Sequence, residues 1–353
     1  MDPGIYSGLK VEAVSTASRE FMGEDKYIAS IKPSRIAERM AREAGYSPVL
    51  VEKYIQILGD EEEAREIIKW NDKPLPETIR CNDFLIPCSE LESMLSQKGF
   101  TLSRIPWLPH GIEVLEQPIR VGATHEYMQG LYYIQDPGSM LVAYLLGAEP
   151  GEVVLDMAAA PGGKSTHIQQ LSRDSTTLVA VDISRRRMRA LRSHMQRMGF
   201  RSYVALRADS RMLTSIAGAG WADKVLLDAP STGEGIIRKD PERRRSRSQL
   251  DVLKVHYLQL ELLYTAVDLA RPGAPILYAA CSTSPEEGEL VISRLLRLRS
   301  DVEVETLEAP IGSPGVETYL GMEMEGEVRK CLRLWPHRHG TEGFFICRLK
   351  RKG

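Results

Sequence analysis

Apolar residues recur at helical spacing over the first seventy positions and at strand spacing from about residue 150 onward, and this change of period divides the chain. Residues 1–70 read as an N-terminal helical segment. In SPVLVEKYIQILG, 47–59, Ser47 stands at the N-cap and Pro48 in the first turn. Val51, Tyr54, Ile55 and Leu58 share a face, and Gly59 ends the run. Asp60 is placed to cap the next helix, EEEAREIIKW, and NDKPLPE then marks a linker. Over 71–130 the segments are short and mixed. TIRCNDFLI predicts a strand, SELESMLSQKG a helix stopping at Gly99, and IEVLEQPIRV a return to strand alternation, which together describe a small α/β domain.

From 131 to 353 the rhythm is β then α. The strand-like runs VVLDM, LVAVD, YVALRAD, KVLLD and PILYAA alternate with STHIQQL, RRRMRALRSHMQRMG, a long helical stretch to 270, and EEGELVISRLLRL. GFFICRL comes last. Such alternation implies a mostly parallel sheet with helices on both faces, and ligands bind beyond the carboxyl ends of its strands.

Composition changes this picture little. A length of 353 residues suits two or three domains, and 43% apolar with 27% charged residues is ordinary for a globular protein. The formal net charge of −2 gives no global basic field, although a local basic face remains open. No window has the apolar length of a membrane span and no signal segment is evident, so no membrane partner is expected. The five cysteines, 81, 88, 281, 331 and 347, are odd in number and form no CxxC. The expectation is free thiols in a reducing cytoplasm, with neither disulfide scaffold nor zinc knuckle. His337, His339, Cys331 and Cys347 fit no ligand spacing and are taken as structural, so no metal is expected.

The candidate chemistry falls at strand ends. DMAAAPGGK, 156–164, joins a strand to a helix. Small residues there let the backbone approach a ligand, and the helix start offers free N–H groups. It is neither GxGxxG nor a P-loop. Asp182 ends the next strand, where a carboxylate can accept both ribose hydroxyls. Asp209 ends the third, where it can meet an adenine edge, and Asp228 ends KVLLD. Any one of these could be a turn former. Together with the loop they favour an adenosine-containing cofactor, and the missing dinucleotide fingerprint favours S-adenosyl-L-methionine over NAD. Cys281 follows PILYAA at the same edge, near a helix start that would favour a thiolate. Ser284, Pro285 and Glu287 read as that helix's capping box.

DMAAAPGGK, the DAP turn in DAPSTGEG, AACS, and the terminal RLWPHRHGTEGFFICRL resemble the RNA (cytosine-5) methyltransferase family, the NOL1/NOP2/Sun group, over roughly 75–353. The resemblance implies a Rossmann-like S-adenosylmethionine-dependent methyltransferase domain behind a small RRM-like domain, acting on cytosine C5 in structured tRNA or rRNA. A PUA domain, present in some members, finds no stretch here long enough to hold it. By resemblance, the loop residues Ala158, Ala160, Pro161, Gly162, Gly163 and Lys164, with Asp182, Arg187, Asp209 and Asp228, bind the cofactor. Cys281 is the nucleophile toward C6, Lys164 lies near the base, and Asp228 acts at N3. A thiolate is needed because C5 of cytosine is too weak a nucleophile until C6 is attacked. The chain is expected to act as a cytoplasmic monomer.

The family usually has a second cysteine after the DAP turn, assisting removal of the C5 proton or release of the adduct. Here that residue is Ser231, so Ser231 is a candidate catalytic group with a hydroxyl in place of a thiol. Three readings stay open: C5 methylation with release handled by water, Ser231 or another base; cytosine N4 methylation on rRNA; and a non-catalytic RNA-binding assembly factor. For RNA contacts there are two basic stretches. One is the helix after Asp182, with Ile183, Met188, Leu191, Met195 and Met198 on one face and arginines on the rest. The other is IIRKDPERRRSRS, where Arg243, Arg244 and Arg245 are expected to meet phosphates.

Overall fold

The computed structural model describes residues 14, 20–74, 76–245 and 248–353. The parts of the expected N-terminal helical segment at 1–13 and 15–19, and Ser246 and Arg247 of the basic stretch, lie outside the described residues.

Among the residues described from 20 onward, four helices come first: α1 (Met22–Ala29), α2 (Arg35–Ala44), α3 (Pro48–Leu58) and α4 (Glu61–Asn71). Their limits are local chemistry. Pro48 sits in the first turn of α3, Gly59 ends it at φ 68°, and the Asp60 carboxylate accepts from Glu62 N at 2.9 Å. The apolar face of α2–α4 buries Met40, Leu50, Val51, Tyr54 and Ile67. Ile237 and Trp335, from distant parts of the chain, complete that cluster.

A four-stranded antiparallel sheet follows, in the order β2 (Thr101–Arg104), β3 (Gly111–Glu116), β1 (Glu77–Cys81), β4 (Tyr132–Ile134). Helix α5 (Cys88–Gln97) packs on it through Leu91 and Leu95. Its fourth strand lies just past residue 130. Arg80 of β1 is fully buried and ties this sheet to the next. It donates to Gly163 O at 2.8 Å, Thr166 Oγ1 at 2.8 Å and Gln170 Oε1 at 2.9 Å.

The large sheet is built from β5 (Val153–Asp156), β6 (Thr177–Val181), β7 (Tyr203–Leu206), β8 (Lys224–Asp228), β9 (Pro275–Ala280), β10 (Val302–Glu305), β11 (Leu332–Leu334) and β12 (Phe344–Arg351). Its order is β11-β12-β9-β8-β5-β6-β7, with β10 paired to β12 and a two-residue strand at 313–314 outside β11. The run from β9 to β7 is parallel, as the β/α alternation predicts. β12 runs antiparallel beside β9, with Phe345 opposite Ala280. Side chains alternate between two cores. Leu155, Val225, Leu227, Ile276 and Tyr278 face helices α9 (Gln249–Leu269) and α10 (Glu289–Leu298). Val154, Leu226, Leu277 and Ala279 face α6 (Pro137–Leu146), α7 (Gly163–Leu171) and α8 (Arg185–Arg197). The period-two burial of each strand is what a sheet covered on both sides requires. In α8 the expected face buries Met188, Leu191 and Met195, with Met198 just beyond, while Ile183 precedes the helix and is exposed.

The cysteines correct the expectation of free thiols. Cys81 is bonded to Cys88, and Cys331 to Cys347. The first pair closes the turn between β1 and α5, and the second joins adjacent antiparallel segments. Separations of 7 and 16 residues form no recognisable motif, so only the folded chain reveals the pairing. Cys281 is the free cysteine among the described residues. With four cysteines paired, the spacing argument for a reducing compartment no longer applies.

Candidate active site

In the strand order, direction reverses between β5 and β8, and a crevice opens beyond the carboxyl ends of strands at such a point. β5 leads into the loop 157–162 and helix α7, whose second residue is Lys164. β8 ends at Asp228. The two side chains meet across the crevice, Lys164 Nζ donating to Asp228 Oδ2 at 2.7 Å. Lys164 is buried and Asp228 is partly open. Cys281, one residue past β9, lines the same cleft, as do Ala158, Ala160, Pro161 and Gly163. The cleft encloses about 200 Å³.

The Lys164 ammonium is held above its ordinary pKa. Burial alone would lower it, but Asp228 and Cys281 more than offset that. Burial pushes the Cys281 thiol well up, and Asp228 adds to this against the opposing pull of Lys164. The expected help from a helix start is therefore absent. Residues 285–287 form only a short 3-10 turn, and no cap is made by Ser284. The expected capping box is replaced by a different arrangement. Glu287 is fully buried, accepting from Thr232 N at 2.7 Å, Thr232 Oγ1 at 2.6 Å and Ser282 Oγ at 2.5 Å.

The DAPSTGEG turn is shaped by close approach. A Cβ on Gly235 would fall 2.0 Å from Gly343 O and 2.9 Å from the Cys281 carbonyl carbon, so no larger residue fits there. In the space thus left, Gly235 N donates to Cys281 O at 3.2 Å and Gly343 N to Gly235 O at 2.8 Å. Ser231 Oγ also donates to Cys281 O, at 3.4 Å. In this arrangement the hydroxyl supports the cysteine turn, and Ser231 does not line the cleft.

The other expected cofactor residues stand around the cleft without lining it. Gly162 has φ 109°, and a Cβ there would fall 3.3 Å from Leu191 Cα. Arg187 donates to Ala160 O, and His194 Nδ1 donates to Pro161 O at 2.8 Å, so α8 fixes the loop's carbonyls. Asp182 follows β6, accepts from Ser184 N at 2.8 Å and lies 3.5 Å from Arg187. Asp209 is bound on both oxygens by Arg211, whose guanidinium outweighs burial and holds the carboxyl below its usual range.

Several lining residues were not foreseen. Asp156, inside the quoted loop motif, is buried and bonded by Ser165 Oγ at 2.6 Å on one oxygen. Its other oxygen has no partner. Burial, with Asp228 nearby, pushes its pKa up to about 7. Glu342 and Phe344 arrive because β12 is antiparallel, so its beginning lies at the end of β9. Glu342 Oε1 is likewise buried without a hydrogen-bond partner, 3.7 Å from Lys239 Nζ. Tyr133, Gln135 and Asp136 come from the end of the small sheet. TEGFF and DMAAAPGGK contained Glu342 and Asp156 in plain view. Nothing in their spacing said that two separate turns share one cavity.

The second basic stretch is placed differently from expectation. Arg243 Nη1 donates to Thr232 O at 2.8 Å, Arg244 pairs with Asp72 at 2.9 Å, and Arg245 Nε donates to Gly45 O at 2.6 Å. Arg244 and Arg245 thus fasten the N-terminal helices to this stretch, Arg243 holds the DAPSTGEG turn, and Arg245 remains solvent-exposed. Lys239, about two-thirds exposed, is the cation of this stretch that lines the cleft. Among the described residues no cluster of three or more His, Cys, Asp or Glu could hold a metal, and no helix is long and apolar enough to cross a membrane.

Comparison with known proteins gives the same grouping. The family model described as 16S rRNA methyltransferase RsmB/F matches residues 143–350, and that for the N-terminal domain of 16S rRNA methyltransferase RsmF matches 48–137. The 25S rRNA (cytosine-C(5))-methyltransferase nop2 of Schizosaccharomyces pombe is 33% identical over 312 residues, covering 87% of this chain and 51% of that protein. Ribosomal RNA small subunit methyltransferase F of Vibrio parahaemolyticus is 32% identical over 310 residues, 85% of this chain and 62% of that one. The chain thus spans about half to three-fifths of the length of these curated relatives. A methyltransferase homolog from Pyrococcus horikoshii superposes with a TM-score of 0.80 at 34% identity, over 90% of this chain and 99% of that one. NSun6 from the same organism, solved with SFG, gives 0.76 at 25% identity over 86% and 98%. The chain belongs to the RsmB/F family of methyltransferases, within the NOL1/NOP2/Sun group.

Proposed function

We propose that this protein transfers a methyl group from S-adenosyl-L-methionine to C5 of a cytosine in RNA, with Cys281 as nucleophile. The observation that carries this reading is the meeting of Cys281, Asp228 and Lys164 in one cleft continuous with the loop 158–163. The relatives named as rRNA cytosine-C5 methyltransferases support ribosomal RNA over tRNA as substrate. On this reading the protein works as a cytoplasmic monomer whose macromolecular partner is RNA.

The residues present fit the cofactor. The loop is small-residue backbone, and Asp156 offers a buried, unpartnered carboxylate oxygen beside it. Ala158, Ala160, Pro161, Gly162 and Gly163 would border the cofactor, Asp182 would receive ribose hydroxyls, and Asp209 would stand toward the adenine with Arg211 as competitor. Bound there, S-adenosylmethionine supplies an electrophilic methyl on a sulfonium.

The target base must leave its stack to enter the cleft. Cys281 loses its proton to solvent and its thiolate forms the S–C6 bond, moving an electron pair toward C5. The Lys164–Asp228 pair holds a proton at N3 and so stabilises that charge. C5 takes the methyl. Its proton is then removed, and the S–C6 electrons return to Cys281. A hydroxyl is a far poorer base than a thiolate, so Ser231 supports the turn and water or another base takes the proton.

Nucleoside mass spectrometry of RNA methylated by the wild type and by Cys281→Ala tests the reading. The expected product is 5-methylcytidine, lost in the variant. An N4-methylated cytidine that persists in Cys281→Ala would replace this reading with amine methylation. No methylated product from the wild type would favour a binding role.

A further inference from the structure

The three residues after Cys281 are each held by a buried charged side chain, two of them from distant parts of the chain. Ser282 Oγ donates to Glu287 at 2.5 Å. Thr283 O accepts from Arg333 Nη1 at 2.9 Å, and Arg333 in turn pairs with Glu289, Nε to Oε1 at 2.6 Å. Ser284 Oγ accepts from Lys53 Nζ at 3.0 Å. Lys53 belongs to α3, in the N-terminal helices, more than two hundred residues away in sequence. It is 1% exposed.

Lys53 reaches both catalytic turns. Its ammonium lies 3.1 Å from Glu286 and 3.9 Å from Glu234. Glu234 belongs to the DAPSTGEG turn that begins at Asp228, and Ser284 Oγ also donates to it. Glu287 makes a parallel link, from Thr232 of the same turn to Ser282. The distance between Asp228 and Cys281 is thus set by buried polar links, one of which comes from outside the methyltransferase sheet. A lysine with no solvent contact is retained only against strong opposing charge, and here three glutamates surround it.

We propose that Lys53 is a positioning residue for the proposed methyl transfer: it couples the N-terminal helices to the geometry of the Cys281 turn. The inference rests on Cys281 as the nucleophile. It implies that the N-terminal helices act on the chemical step, because a misplacement of about 1 Å can cost roughly a hundredfold in rate.

The test uses the full chain with Lys53→Arg, which keeps the charge, and the double variant Lys53→Met/Glu286→Gln, which removes the lysine together with its nearest carboxylate. Circular dichroism melts verify folding. Two readouts follow: kcat and KM for RNA, and the rate at which iodoacetamide alkylates Cys281 without RNA, read by peptide mass spectrometry. The expected result for the double variant is a kcat lower by about tenfold or more with KM little changed, an alkylation rate changed severalfold, and substantial recovery of both in Lys53→Arg. An unchanged alkylation rate overturns the inference, as does a change in KM alone. Alkylation needs no methyl transfer, so it tests the coupling even if the wild type yields no 5-methylcytidine. That latter result would strike only the proposed reaction.

Discussion

At the scale of single residues, the cleft sets three charged or ionisable groups against one another. For the proposed reaction Cys281 must be a thiolate to add to C6, yet burial and Asp228 both push its thiol up. Below that pKa the thiolate fraction rises about tenfold per pH unit. We therefore expect kcat/KM to climb with pH from 6 through 8, and a flat profile in that range would contradict a rate-limiting thiolate. Asp156 gives a stability prediction of definite sign. Its folded pKa, about 7, lies above the ordinary carboxylate value, so the folded chain binds the proton more tightly than the unfolded one. Stability is then undiminished below about pH 4 and falls as pH rises toward 7, by a cost on the order of 2–4 kcal/mol. Asp156→Asn should remove this cost while keeping an acceptor for Ser165. Thermal melts should show the variant gaining on the wild type at pH 8 and not at pH 4. Ser231→Cys would restore the family's usual thiol. Denaturing gels of enzyme with RNA and cofactor should show less trapped covalent adduct in that variant than in the wild type.

At the scale of elements, turns carry what strands only deliver. Gly235 and Gly343 let the DAP, Cys281 and TEGFF turns touch backbone to backbone. Gly235→Ala should therefore disturb the site through sterics alone and lower kcat by more than about tenfold, since its Cβ would meet a carbonyl and not a movable side chain. The basic stretch 243–245 holds the α2–α3 turn and the end of α4 through Gly45 and Asp72. Arg243, Arg244 and Arg245 changed together to Glu should lower the melting temperature, with the salt dependence of RNA affinity little altered. Stable protein with a shallower salt slope would return these side chains to phosphate binding. The disulfides were invisible in sequence for an elementary reason. Pairing requires Cα atoms within a few ångströms, and here 5.7 and 4.4 Å were created by a strand-to-helix turn and by strand pairing. Titration of the unfolded, unreduced chain should find one free thiol.

At the scale of the molecule, three parts share their interiors. Ile237 and Trp335 of the sheet domain complete the core of the N-terminal helices. Arg80 carries the small sheet into α7, against Gly163 of the cofactor loop. Tyr133, Gln135 and Asp136, at the exit of the small sheet, form one wall of the cleft. The large-sheet domain thus shares its interior with both of the parts that precede it. A fragment beginning at residue 76 would expose the apolar surface around Trp335 and leave Glu234 and Glu286 without Lys53. We expect it to be insoluble or strongly destabilised, which expression and melting would show.

Much of this was determined along the chain itself. The β/α alternation, the caps at Pro48, Gly59 and Asp60, and the placing of Asp182, Asp209, Asp228 and Cys281 at strand ends follow from local period and turn chemistry, which neighbours in sequence control. The pairing of Lys164 with Asp228 was half legible, because Lys164 opens the helix that follows β5 and Asp228 closes β8, strands that a parallel sheet brings side by side. Other features were decided only by tertiary structure. The antiparallel insertion of β12 carries Glu342 and Phe344 to the cleft. Glu287 serves as a clamp instead of a cap, Arg244 and Arg245 bind the N-terminal helices, and Lys53 lies buried beneath the cysteine turn. Each of these depends on segments tens to hundreds of residues apart, where burial and charge pairing are set by which surfaces meet and no local spacing records the partner.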